Sequence, residues 1–400
     1  MELSGKKLLV GVCGGIAAYK AAYLVRELVK HGARVRVVMT EAARQFIAPL
    51  TFETLCGEPV GLDLFPAQGG AATVHIDWAR WADAIVICPA TANTIAKLAN
   101  GIADNLLTSL ALAATVPLIV CPAMNVEMYK NPLYRRNENR LREAGVRIVD
   151  PEAGELACGE VGAGRLAETE QILWAIQCAL FGTQEFRGRR FLITAGPTRE
   201  PIDPVRYLSN RSSGKMGFAL AEAAVLRGAE VTLISGPTYL KPIAALCHIP
   251  VTTAEEMAEQ VERRLAESDV LIMAAAPADF RCAEFSPQKR PKNDVLQLTL
   301  VNTTDILRAA GEHKGNRIHV GFSLETDNGL EKARRKLEEK NCDIMVLNPA
   351  DDPEAGFEVD TNKITLLFAD GREKKFEKMS KRRAADEILT AVGELLRAEA

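Results

Sequence analysis

Short apolar runs alternate with helix-spaced apolar residues from the start of the chain. Lys7 to Cys13 is a run of the β type, Gly14-Gly15 interrupts it, and Ile16 to Lys30 has apolar residues at helical spacing. His31-Gly32 ends that helix, and Val35 to Met39 resumes a strand. The pattern predicts a β-α-β unit with a glycine-rich first loop.

Two further buried strands follow in the first half, and each ends at a proline. They are Ala84 to Cys88, before Pro89, and Val116 to Cys121, before Pro122. Ligands of open α/β sheets bind at the carboxyl ends of such strands. The loop after Pro89 is rich in hydroxyl groups and runs into a helix, so it suits hydrogen bonds to a phosphate, a ribose or a flavin edge (90–94).

The second half repeats the alternation of strands and helices. Strands are predicted at 191–195, 230–235, 269–275, 318–322 and 343–347, helices at 214–228, 254–267, 304–312 and 328–340, and a hairpin near Asp370-Gly371 before a terminal helix. The length of 400 residues exceeds what one core usually serves. We predict an α/β protein of two doubly wound, Rossmann-like domains in tandem, residues 1–188 and 189–400, with a linker near residue 188.

Composition restricts the classes of partner and the cellular location. The net charge of −3, without a basic tail, argues against nucleic acid and anionic membranes as main partners. No apolar run reaches transmembrane length, and the first strand is too short for a signal sequence, so we expect a cytoplasmic protein. The nine cysteines include no Cys-x-x-Cys pair, which favours neither a disulfide framework nor a zinc site.

The loop from Thr194 to Gly217 is the strongest ligand-binding candidate. It joins a predicted strand to a predicted helix, and its glycines and serines leave backbone N–H groups at a helix N-terminus. We therefore predict that this loop binds a phosphate. Its positive charge comes from four basic residues, Arg199, Arg206, Arg211 and Lys215. It is not a P-loop, because the earlier glycine is missing and Met216 stands where a hydroxyl would hold magnesium.

Three residues of the first half are candidate reactive groups, but each also has an ordinary structural interpretation. His75 could be a core histidine, Asn125 could cap the following turn, and Cys158 could be an idle thiol. Cys158 lies in the glycine-dense segment 153–165, which has no periodicity and is expected to be a mobile surface loop or a lid.

Positive charge in the second half lies near one carboxylate. Asp279 follows a predicted strand, and an aspartate beside the lysines Lys289 and Lys292 could position a cation-bound triphosphate. Lys336 and Lys340 are four apart on a predicted helix, and they could act similarly or pair with nearby acids. Lysines are exposed as a rule, so these runs are also compatible with a solvated surface.

Taken together, the motifs resemble one family, the bacterial bifunctional phosphopantothenoylcysteine decarboxylase/phosphopantothenate–cysteine ligases of coenzyme A synthesis. In the first half the resemblance rests on the glycine loop through Lys20, His75, the segment 89–94, the segment 122–129 and the segment 157–165. In the second half it rests on the loop with Asn210, on the segments 274–280, 303–306 and 321–322, and on the lysines Lys289, Lys336 and Lys340. Two departures are Tyr129, where the family usually has Trp, and Arg290-Pro291 inside the lysine cluster, which puts the role of Lys292 in doubt.

The resemblance implies a flavodoxin-like first domain that uses FMN to decarboxylate 4'-phosphopantothenoylcysteine. Oxidation at the thiol-bearing carbon would give a thioaldehyde that can lose CO₂, and the enethiol product would then be reduced. His75 would act as base or orient the thiol, Asn125 would hold the substrate, and Cys158 would donate the last proton. The implied FMN contacts are Gly14, Gly15, Ile16, Thr40, Thr91, Asn93 and Thr94.

The resemblance implies a second domain that ligates cysteine to 4'-phosphopantothenate through an acyl-cytidylate. Asn210 would serve the acyl-cytidylate step, and Asp279 would also hold Mg²⁺. The implied CTP contacts are Met273, Ala274, Ala275, Asp279, Lys289, Thr303, Thr304, Asp305, Ile306, Phe322, Lys336 and Lys340.

The same family likeness suggests a homo-oligomer, a dodecamer built from trimers of the flavin domain and dimers of the ligase domain. Two other interpretations remain from the sequence. One is an NAD(P)-dependent reductase, although the glycine loop lacks the G-x-G-x-x-G spacing. The other is a non-enzymatic, flavin-binding regulatory protein, which would have no need of Cys158 as a donor.

Overall fold

A computed structural model describes residues 3–65, 73–155, 161–289, 296–325, 328–349 and 359–398 of the chain. The contacts divide the chain into an amino-terminal unit, Met1–Gly182, and a carboxyl-terminal unit, Thr183–Ala400. The division comes six residues before the boundary expected from the sequence. Its physical reason is that Phe186 is buried in the core of the carboxyl-terminal unit, where its amide donates to Arg227 O at 2.8 Å.

The amino-terminal unit is built on a five-stranded parallel sheet. Its strand order is β2-β1-β3-β4-β5. The strands are β1 (Lys7–Val12), β2 (Arg34–Met39), β3 (Ala84–Ala90), β4 (Leu118–Pro122) and β5 (Arg147–Ile148), followed by the hairpin strands β6 (Glu152–Glu155) and β7 (Val161–Arg165). The helices are α1 (Ala18–Lys30), α2 (Pro49–Cys56), α3 (Val74–Trp81), α4 (Ala92–Ala99), α5 (Leu106–Ala113), α6 (Val126–Lys130), α7 (Pro132–Glu143) and α8 (Thr169–Phe181), with a 3₁₀ turn at Glu41–Gln45.

Burial explains why the strands of this sheet read as continuous apolar runs. All seven residues of β3 are buried, as parallel strands covered on both faces require. The helix α1 packs against the sheet with a stripe at helical spacing, made of Ala18, Ala21, Leu24, Val25 and Leu28. The strand order 2-1-3-4-5 is that of flavodoxin-like folds, in which ligands bind where the order reverses, between β1 and β3.

The carboxyl-terminal unit has an eight-stranded sheet in the order β12-β11-β8-β13-β16-β17-β19-β20. Its strands are β8 (Arg190–Ala195), β9 (Arg199–Pro201), β10 (Tyr207–Ser209), β11 (Glu230–Ser235), β12 (Cys247–Pro250), β13 (Val270–Met273), β14 (Phe280–Cys282), β15 (Leu300–Asn302), β16 (Ile318–Glu325), β17 (Ile344–Pro349), β18 (Thr361–Asn362), β19 (Thr365–Phe368), β20 (Glu373–Lys375) and β21 (Met379–Ser380). The helices are α9 (Lys215–Leu226), α10 (Ala254–Leu265), α11 (Ile306–Glu312), α12 (Gly329–Glu339) and α13 (Lys381–Ala398).

The first six strands of this sheet are parallel and the last two, β19 and β20, are antiparallel. Counted within the unit, the parallel strands have the order 3-2-1-4-5-6, with the reversal between β8 and β13. The predicted α/β class with two doubly wound domains is therefore confirmed. The loops after β8 and β13 meet at this reversal, where Pro197 and Ala276 form an isolated bridge.

Two segments expected to be irregular contain hairpins. The strands β6 and β7 pair within the glycine-dense segment 153–165, and β9 pairs with β10 inside the loop 194–217. The strands of both hairpins have three to five residues, so they give too short a pattern to be recognised from apolar spacing. Within the described ranges, no helix is both long and apolar enough to cross a membrane.

Candidate functional sites

A cleft of about 490 Å³ opens at the reversal between β1 and β3 in the amino-terminal unit. We call it the amino-terminal cleft. Loops after three parallel strands and one hairpin strand form its walls, and apolar atoms dominate them. It is lined by Gly14, Gly15, Ile16, Ala17, Tyr19, Lys20, Pro89, Thr91, Ala92, Ala123, Met124, Asn125, Met128, Gly164, Arg165 and Leu166.

The N-terminus of α1 is a ready-made anion site in this cleft. The cap residue Ala17 makes no side-chain hydrogen bond to the helix, and the first turn contains no acidic residue. A side chain added at Gly15 would meet no atom within 4 Å, so the backbone there faces open space. Lys20 adds a cation to this cleft. Its Nζ is buried, lies 3.7 Å from Glu168 Oε1 and has no hydrogen-bond partner in the described ranges.

Close backbone approaches explain two glycines around the cleft. A Cβ at Gly14 would lie 2.4 Å from Ala42 Cβ, so only glycine lets the first loop pack against the 3₁₀ turn. Gly164 has φ of 147° and a Cβ there would lie 2.3 Å from Met124 O. The Met124 amide donates to Gly164 O at 3.0 Å, which brings the β6–β7 hairpin against the loop with Asn125.

Asn125 both caps a helix and lines the cleft. Its Oδ1 accepts a hydrogen bond from the Glu127 amide at 2.8 Å at the start of α6. The capping role that the sequence left open is therefore present, and it fixes the side chain at the cleft wall. Tyr129, on the same helix, is buried, and the guanidinium of Arg135 lies 4.1 Å from its ring centre; the ring belongs to the core and not to the described lining of the cleft.

The remaining residues with implied flavin contacts divide into two groups. Thr91 lines the cleft and caps α4, where its Oγ1 accepts from the Thr94 amide at 3.3 Å. Thr94 is buried and accepts from Cys13 Sγ at 3.3 Å, and burial raises the pKa of that thiol to about 11. Thr40 caps the 3₁₀ turn, and Asn93 is exposed on the first turn of α4.

The structure does not gather the three candidate reactive residues in one described cleft. His75 is the second residue of α3, half-buried and outside the described lining of the amino-terminal cleft. Its Nδ1 is buried without a hydrogen-bond partner among the residues that the structure describes, which is unusual for a structural histidine. Cys158 lies outside the described residues, between β6 and β7.

A second pocket, of about 250 Å³, lies at the reversal between β8 and β13; we call it the carboxyl-terminal pocket. It combines a helix N-terminus with amide and ammonium groups. Its lining is Asn210, Ser212, Ser213, Gly214, Lys215, Met216, Ala274, Ala275, Ala276, Pro277, Asp279, Phe322, Ser323, Leu324, Asn348, Asn362 and Lys381.

Asn210 connects the two loops that form this pocket. Its Nδ2 donates to Pro277 O at 2.8 Å and to Ala276 O at 3.3 Å. The amide group is therefore oriented by backbone carbonyls, and the predicted contacts Ala274, Ala275 and Asp279 lie along the same loop.

The helix α9 begins at this pocket as α1 does at the cleft. Its cap is Gly214 with φ of 79°, without a side-chain cap or an acidic residue in the first turn. Lys215 lines the pocket and its Nζ lies 2.6 Å from Asp360 Oδ1. The expectation that all four basic residues of the loop serve a phosphate is not met in this arrangement.

Two of those basic residues have structural contacts instead. Arg199 stacks on the ring of Tyr207 at 4.7 Å, and Arg206 lies 3.6 Å from the buried carboxylate of Asp203. Both pairs hold the β9–β10 hairpin. Arg211 is exposed beyond that hairpin.

The two lysines predicted on the later helix are paired with acids beside the pocket. Lys336 Nζ lies 2.6 Å from Glu325 Oε1 and 3.3 Å from Ser323 Oγ. Burial raises the pKa of Glu325, but the hydrogen bonds from Lys336 and Ser323 outweigh it and the net pKa is lowered. Lys340, just after α12, lies 3.1 Å from Asp305 Oδ1.

The other implied nucleotide contacts lie around the pocket. Thr303 donates through Oγ1 to Ala278 O at 2.6 Å, and its amide donates to Asp279 O at 3.0 Å. Met273 and Ile306 are buried, at the end of β13 and the start of α11. Thr304 and Lys289 are exposed, Asp305 caps α11, and Lys292 lies outside the described residues.

The described residues contain no group of three His, Cys, Asp or Glu side chains close enough to hold a metal ion. A single carboxylate, Asp279, borders the pocket lining. This arrangement suits Mg²⁺ only together with substrate phosphates, which is a common way for proteins to bind that ion.

Sequence reasoning missed five residues of the pocket wall, of which Ser323 and Leu324 directly follow the predicted Phe322. Asn348 is the next-to-last residue of β17, and within the described part of the chain its buried Oδ1 has no hydrogen-bond partner; Asn362 is buried on β18. Lys381 begins α13, and its Nζ donates to Val359 O. Burial, with Lys215 nearby, lowers the pKa of Lys381 to about 8. No local motif marks these positions, because they are far from the opening loop in sequence.

Comparisons with known proteins match both units. The flavoprotein family model matches residues 1–180, and the model described as the DNA/pantothenate metabolism flavoprotein C-terminal domain matches residues 186–396. The chain is 46% identical over 397 residues to the coenzyme A biosynthesis bifunctional protein CoaBC of Bacillus subtilis (strain 168), with 98% of each chain covered. The chain belongs to this family of bifunctional coenzyme A biosynthesis enzymes.

A second relative matches nearly the whole chain, and a solved structure matches about half of it. The Escherichia coli (strain K12) protein of the same name is 42% identical, with 93% of each chain covered. A crystal structure of the C-terminal domain of such a protein is 39% identical, covers 54% of this chain and 100% of that chain, and has a TM-score of 0.48.

Family membership confirms the resemblance stated from the motifs. The amino-terminal unit is a flavoprotein decarboxylase domain and the carboxyl-terminal unit a ligase domain. This excludes the reductase and the non-enzymatic regulatory protein as descriptions of the whole chain. The roles of individual residues are a separate question.

Proposed function

We propose that this chain first joins cysteine to 4'-phosphopantothenate with CTP and Mg²⁺, and then decarboxylates 4'-phosphopantothenoylcysteine to 4'-phosphopantetheine with FMN. The full-length match to bifunctional coenzyme A biosynthesis proteins supports the pairing of the two activities. The observation that carries the proposal is the presence of two pockets with different walls, each at the uncapped N-terminus of a helix.

The residues of the amino-terminal cleft fit FMN. The uncapped start of α1 and the open backbone at Gly15 suit its phosphate, and Lys20 provides a cation whose Nζ has no hydrogen-bond partner. The apolar atoms of Ile16 and Met124 suit the faces of a planar ring. When bound, FMN would supply a reversible hydride acceptor, which makes loss of CO₂ from the neighbouring carbon feasible.

We assign the substrate contacts in this half to three side chains. Asn125 is held by its cap at the cleft wall, so its amide can bind the substrate carboxylate or amide without further ordering. His75 has an Nδ1 that can accept the thiol proton or orient the thiol. The thiol of Cys158 would return a proton to the enethiol carbon in the last step.

The ligase reaction forms and breaks two bonds in turn. One carboxylate oxygen of 4'-phosphopantothenate attacks the α-phosphorus of CTP and expels pyrophosphate, which gives the acyl-cytidylate. The cysteine amine then attacks the acyl carbon, forms the amide and expels CMP. Asn210, held by two carbonyls of the Ala276-Pro277 loop, borders the pocket in which the mixed anhydride would lie.

Positive charge for the triphosphate comes from groups that are now paired with acids. Lys336 and Lys340 can exchange Glu325 and Asp305 for phosphate oxygens, while the start of α9 provides backbone N–H groups. Asp279 and the triphosphate would share Mg²⁺.

The carboxyl-terminal pocket also contains an acceptor suited to a nucleobase. The buried Oδ1 of Asn348 lacks a hydrogen-bond partner within the described ranges, and the amino group of cytosine would satisfy it. Adenine has an amino group too, whereas uracil has none. UTP is therefore expected to be a poor substrate, and the rates with CTP, ATP and UTP measure this directly.

The assembly is proposed as a dodecamer of flavin-domain trimers and ligase-domain dimers. Each unit exposes apolar side chains that an interface could cover. In the amino-terminal unit these include Tyr19 and Tyr23, and in the carboxyl-terminal unit Val205, Phe280 and Val301. Light scattering of the purified chain measures the mass, and a monomer would contradict this proposal. Because CTP and cysteine are cytoplasmic metabolites, we place the enzyme in the cytoplasm.

The decisive experiment is the visible spectrum of the purified protein followed by product analysis. A flavin spectrum and the formation of 4'-phosphopantetheine from 4'-phosphopantothenate, cysteine and CTP are expected. Omitting CTP should stop the sequence before the amide forms, whereas added 4'-phosphopantothenoylcysteine should still be decarboxylated. A colourless protein that neither binds FMN nor forms the amide would contradict the proposal.

A further inference from the structure

Three residues of α3 form an oblique stripe on the helix. His75, Trp78 and Trp81 are spaced by three, so each lies beside the next, and the stripe turns by about 120° around the helix from His75 to Trp81. The two tryptophans are half-buried, and the His75 Nδ1 has no hydrogen-bond partner among the described residues. Whatever holds the tryptophans therefore also sets the direction in which His75 projects.

The residue that contacts both tryptophans from the sheet is Arg36 of β2. Its guanidinium carbon lies 4.4 Å from the ring centre of Trp81 and 5.2 Å from that of Trp78. Its Nε is buried, lies 3.7 Å from Glu58 Oε2 and has no hydrogen-bond partner in the part of the chain that the structure describes. The guanidinium is thus used for stacking, and Glu58 balances its charge at a distance.

The backbone beside β2 completes this contact. Gly61 pairs with the end of β2, since its amide donates to Val37 O at 2.9 Å and its carbonyl accepts from the Met39 amide at 3.0 Å. A Cβ at Gly61 would lie 2.9 Å from Trp78 Cζ3, so the indole lies directly on the glycine. One side of the tryptophan stripe is therefore fitted closely to the edge of the sheet.

We propose that Arg36 is a positioning residue for decarboxylation, which sets the rotation of α3 about its axis and with it the direction of His75. This inference rests on the proposed role of His75. Side chains reach about 5–6 Å from the axis of a helix, so a rotation of α3 by about 10° moves the imidazole sideways by about an ångström. Misplacement on that scale costs a catalytic group much of its effect.

The experiment uses the full chain with its flavin and four variants. Arg36→Met removes the cation and keeps an unbranched side chain, and Arg36→Lys keeps the charge without the planar group. Arg34→Met is the matched control, because Arg34 is on the same strand, lies 4.0 Å from the same Glu58, and its side chain is 60% exposed. His75→Asn measures how far the reaction depends on the imidazole.

For Arg36→Met we expect kcat for decarboxylation to fall about tenfold, with a nearly unchanged KM. Ligation by the same molecules and the flavin content should stay at wild-type values. Acrylamide should quench tryptophan fluorescence more strongly, since two of the three tryptophans lose their cover. Arg36→Lys should recover part of the rate, and Arg34→Met should behave as wild type.

The outcomes separate the two hypotheses. If His75→Asn stops decarboxylation while Arg36→Met turns over normally, the positioning role of Arg36 is wrong and the role of His75 stands. If His75→Asn decarboxylates normally, both ideas fail. If Arg36→Met loses flavin or ligation in parallel with decarboxylation, Arg36 is a residue of general stability and the inference is overturned.

Discussion

The amino-terminal cleft and the carboxyl-terminal pocket begin from the same arrangement. Each lies at the carboxyl ends of parallel strands where the strand order reverses, and each opens at a helix whose N-terminus has no side-chain cap and no acid in its first turn. Their walls differ. The cleft has about 490 Å³ and mainly apolar walls, whereas the pocket has about 250 Å³ and walls rich in amide and ammonium groups.

The comparison separates what the scaffold provides from what the loops provide. A helix N-terminus at the sheet edge offers a phosphate site in either unit. The apolar wall beside Ile16 and Met124 then favours a flat, uncharged ring, and the lysines beside Ser323 and Asp305 favour a charged triphosphate. The difference in chemistry is thus carried by a few side chains around a common frame.

The largest expected effect is a loss of ligation from a change in the carboxyl-terminal pocket, with decarboxylation unaffected. Asn210→Asp should lower the rate of ligation by about 10²-fold or more, the range found when a positioned donor is removed from a reaction centre. The new carboxylate would face Ala276 O and Pro277 O, to which the amide now donates, and would repel the triphosphate.

Product analysis after adding cysteine or preformed 4'-phosphopantothenoylcysteine separates the two activities of this variant. Decarboxylation should be unchanged. Normal ligation by Asn210→Asp would show that the pocket wall does not depend on this amide.

The second expected effect is acid sensitivity confined to the carboxyl-terminal unit. His319 is fully buried on β16, and neither ring nitrogen has a hydrogen-bond partner among the described residues. Burial, with Lys314 and Arg317 nearby, lowers its pKa from 6.5 to about 4 despite Asp343. Between these values the unfolded chain binds more protons, so the free energy of unfolding falls as the pH drops from about 6.5 to 4.

The free energy of unfolding should fall by something on the order of 3 kcal/mol over this range, because each pH unit between the two pKa values of His319 contributes about 1.4 kcal/mol. Urea unfolding of the unit at several pH values measures it. His319→Leu should flatten the dependence, and His313→Gln, at an exposed position, should leave it unchanged. If the free energy of unfolding of His319→Leu depends on pH as it does in the wild type, other groups cause the acid sensitivity.

The third prediction tests the close approach that shapes the amino-terminal cleft. Gly14→Ala places a Cβ 2.4 Å from Ala42 Cβ, so the free energy of unfolding of the flavin-free amino-terminal unit should fall by about 1–3 kcal/mol. Gly15→Ala is the control for unfolding, because a Cβ there meets no atom within 4 Å. Equal stabilities of the two variants would mean that the loop shifts without cost.

The smallest expected effect is a change in KM for CTP when one positive charge beside the carboxyl-terminal pocket is removed. Lys336→Gln should raise KM for CTP about fivefold, as expected for the loss of one partly exposed charge contact. Lys332→Gln is matched to it, since Lys332 is on the same helix and lies 3.8 Å from the same Glu325 carboxylate, against 2.6 Å for Lys336. Identical KM values for CTP in the two variants would show that Lys336 does not contact the nucleotide.

Much of the fold could be predicted from apolar spacing, because long regular elements leave long patterns. The strand at 230–235 was predicted with the bounds that β11 has, and α1 differs from its prediction only at its first turn. Strands of three residues such as β9 and β14 were missed, since two or three side chains give no period. Their pairing is decided by partners across a loop.

The site was predictable where a motif is local and not where partners are distant. Gly14, Gly15, Thr91 and Asn210 were predicted and do line the two pockets. Arg199 was predicted to serve a phosphate, but its use depends on Tyr207, eight residues away, on which it stacks. The pattern around it could not reveal that contact.

The wall of the carboxyl-terminal pocket includes Lys381, at the first position of the last helix. During synthesis on the ribosome, the flavin half has all its strands and helices once residue 182 has emerged, whereas the ligase half must wait for α13. A nonsense mutation between Gly182 and Lys381 would therefore leave a chain that still consumes 4'-phosphopantothenoylcysteine but no longer makes it.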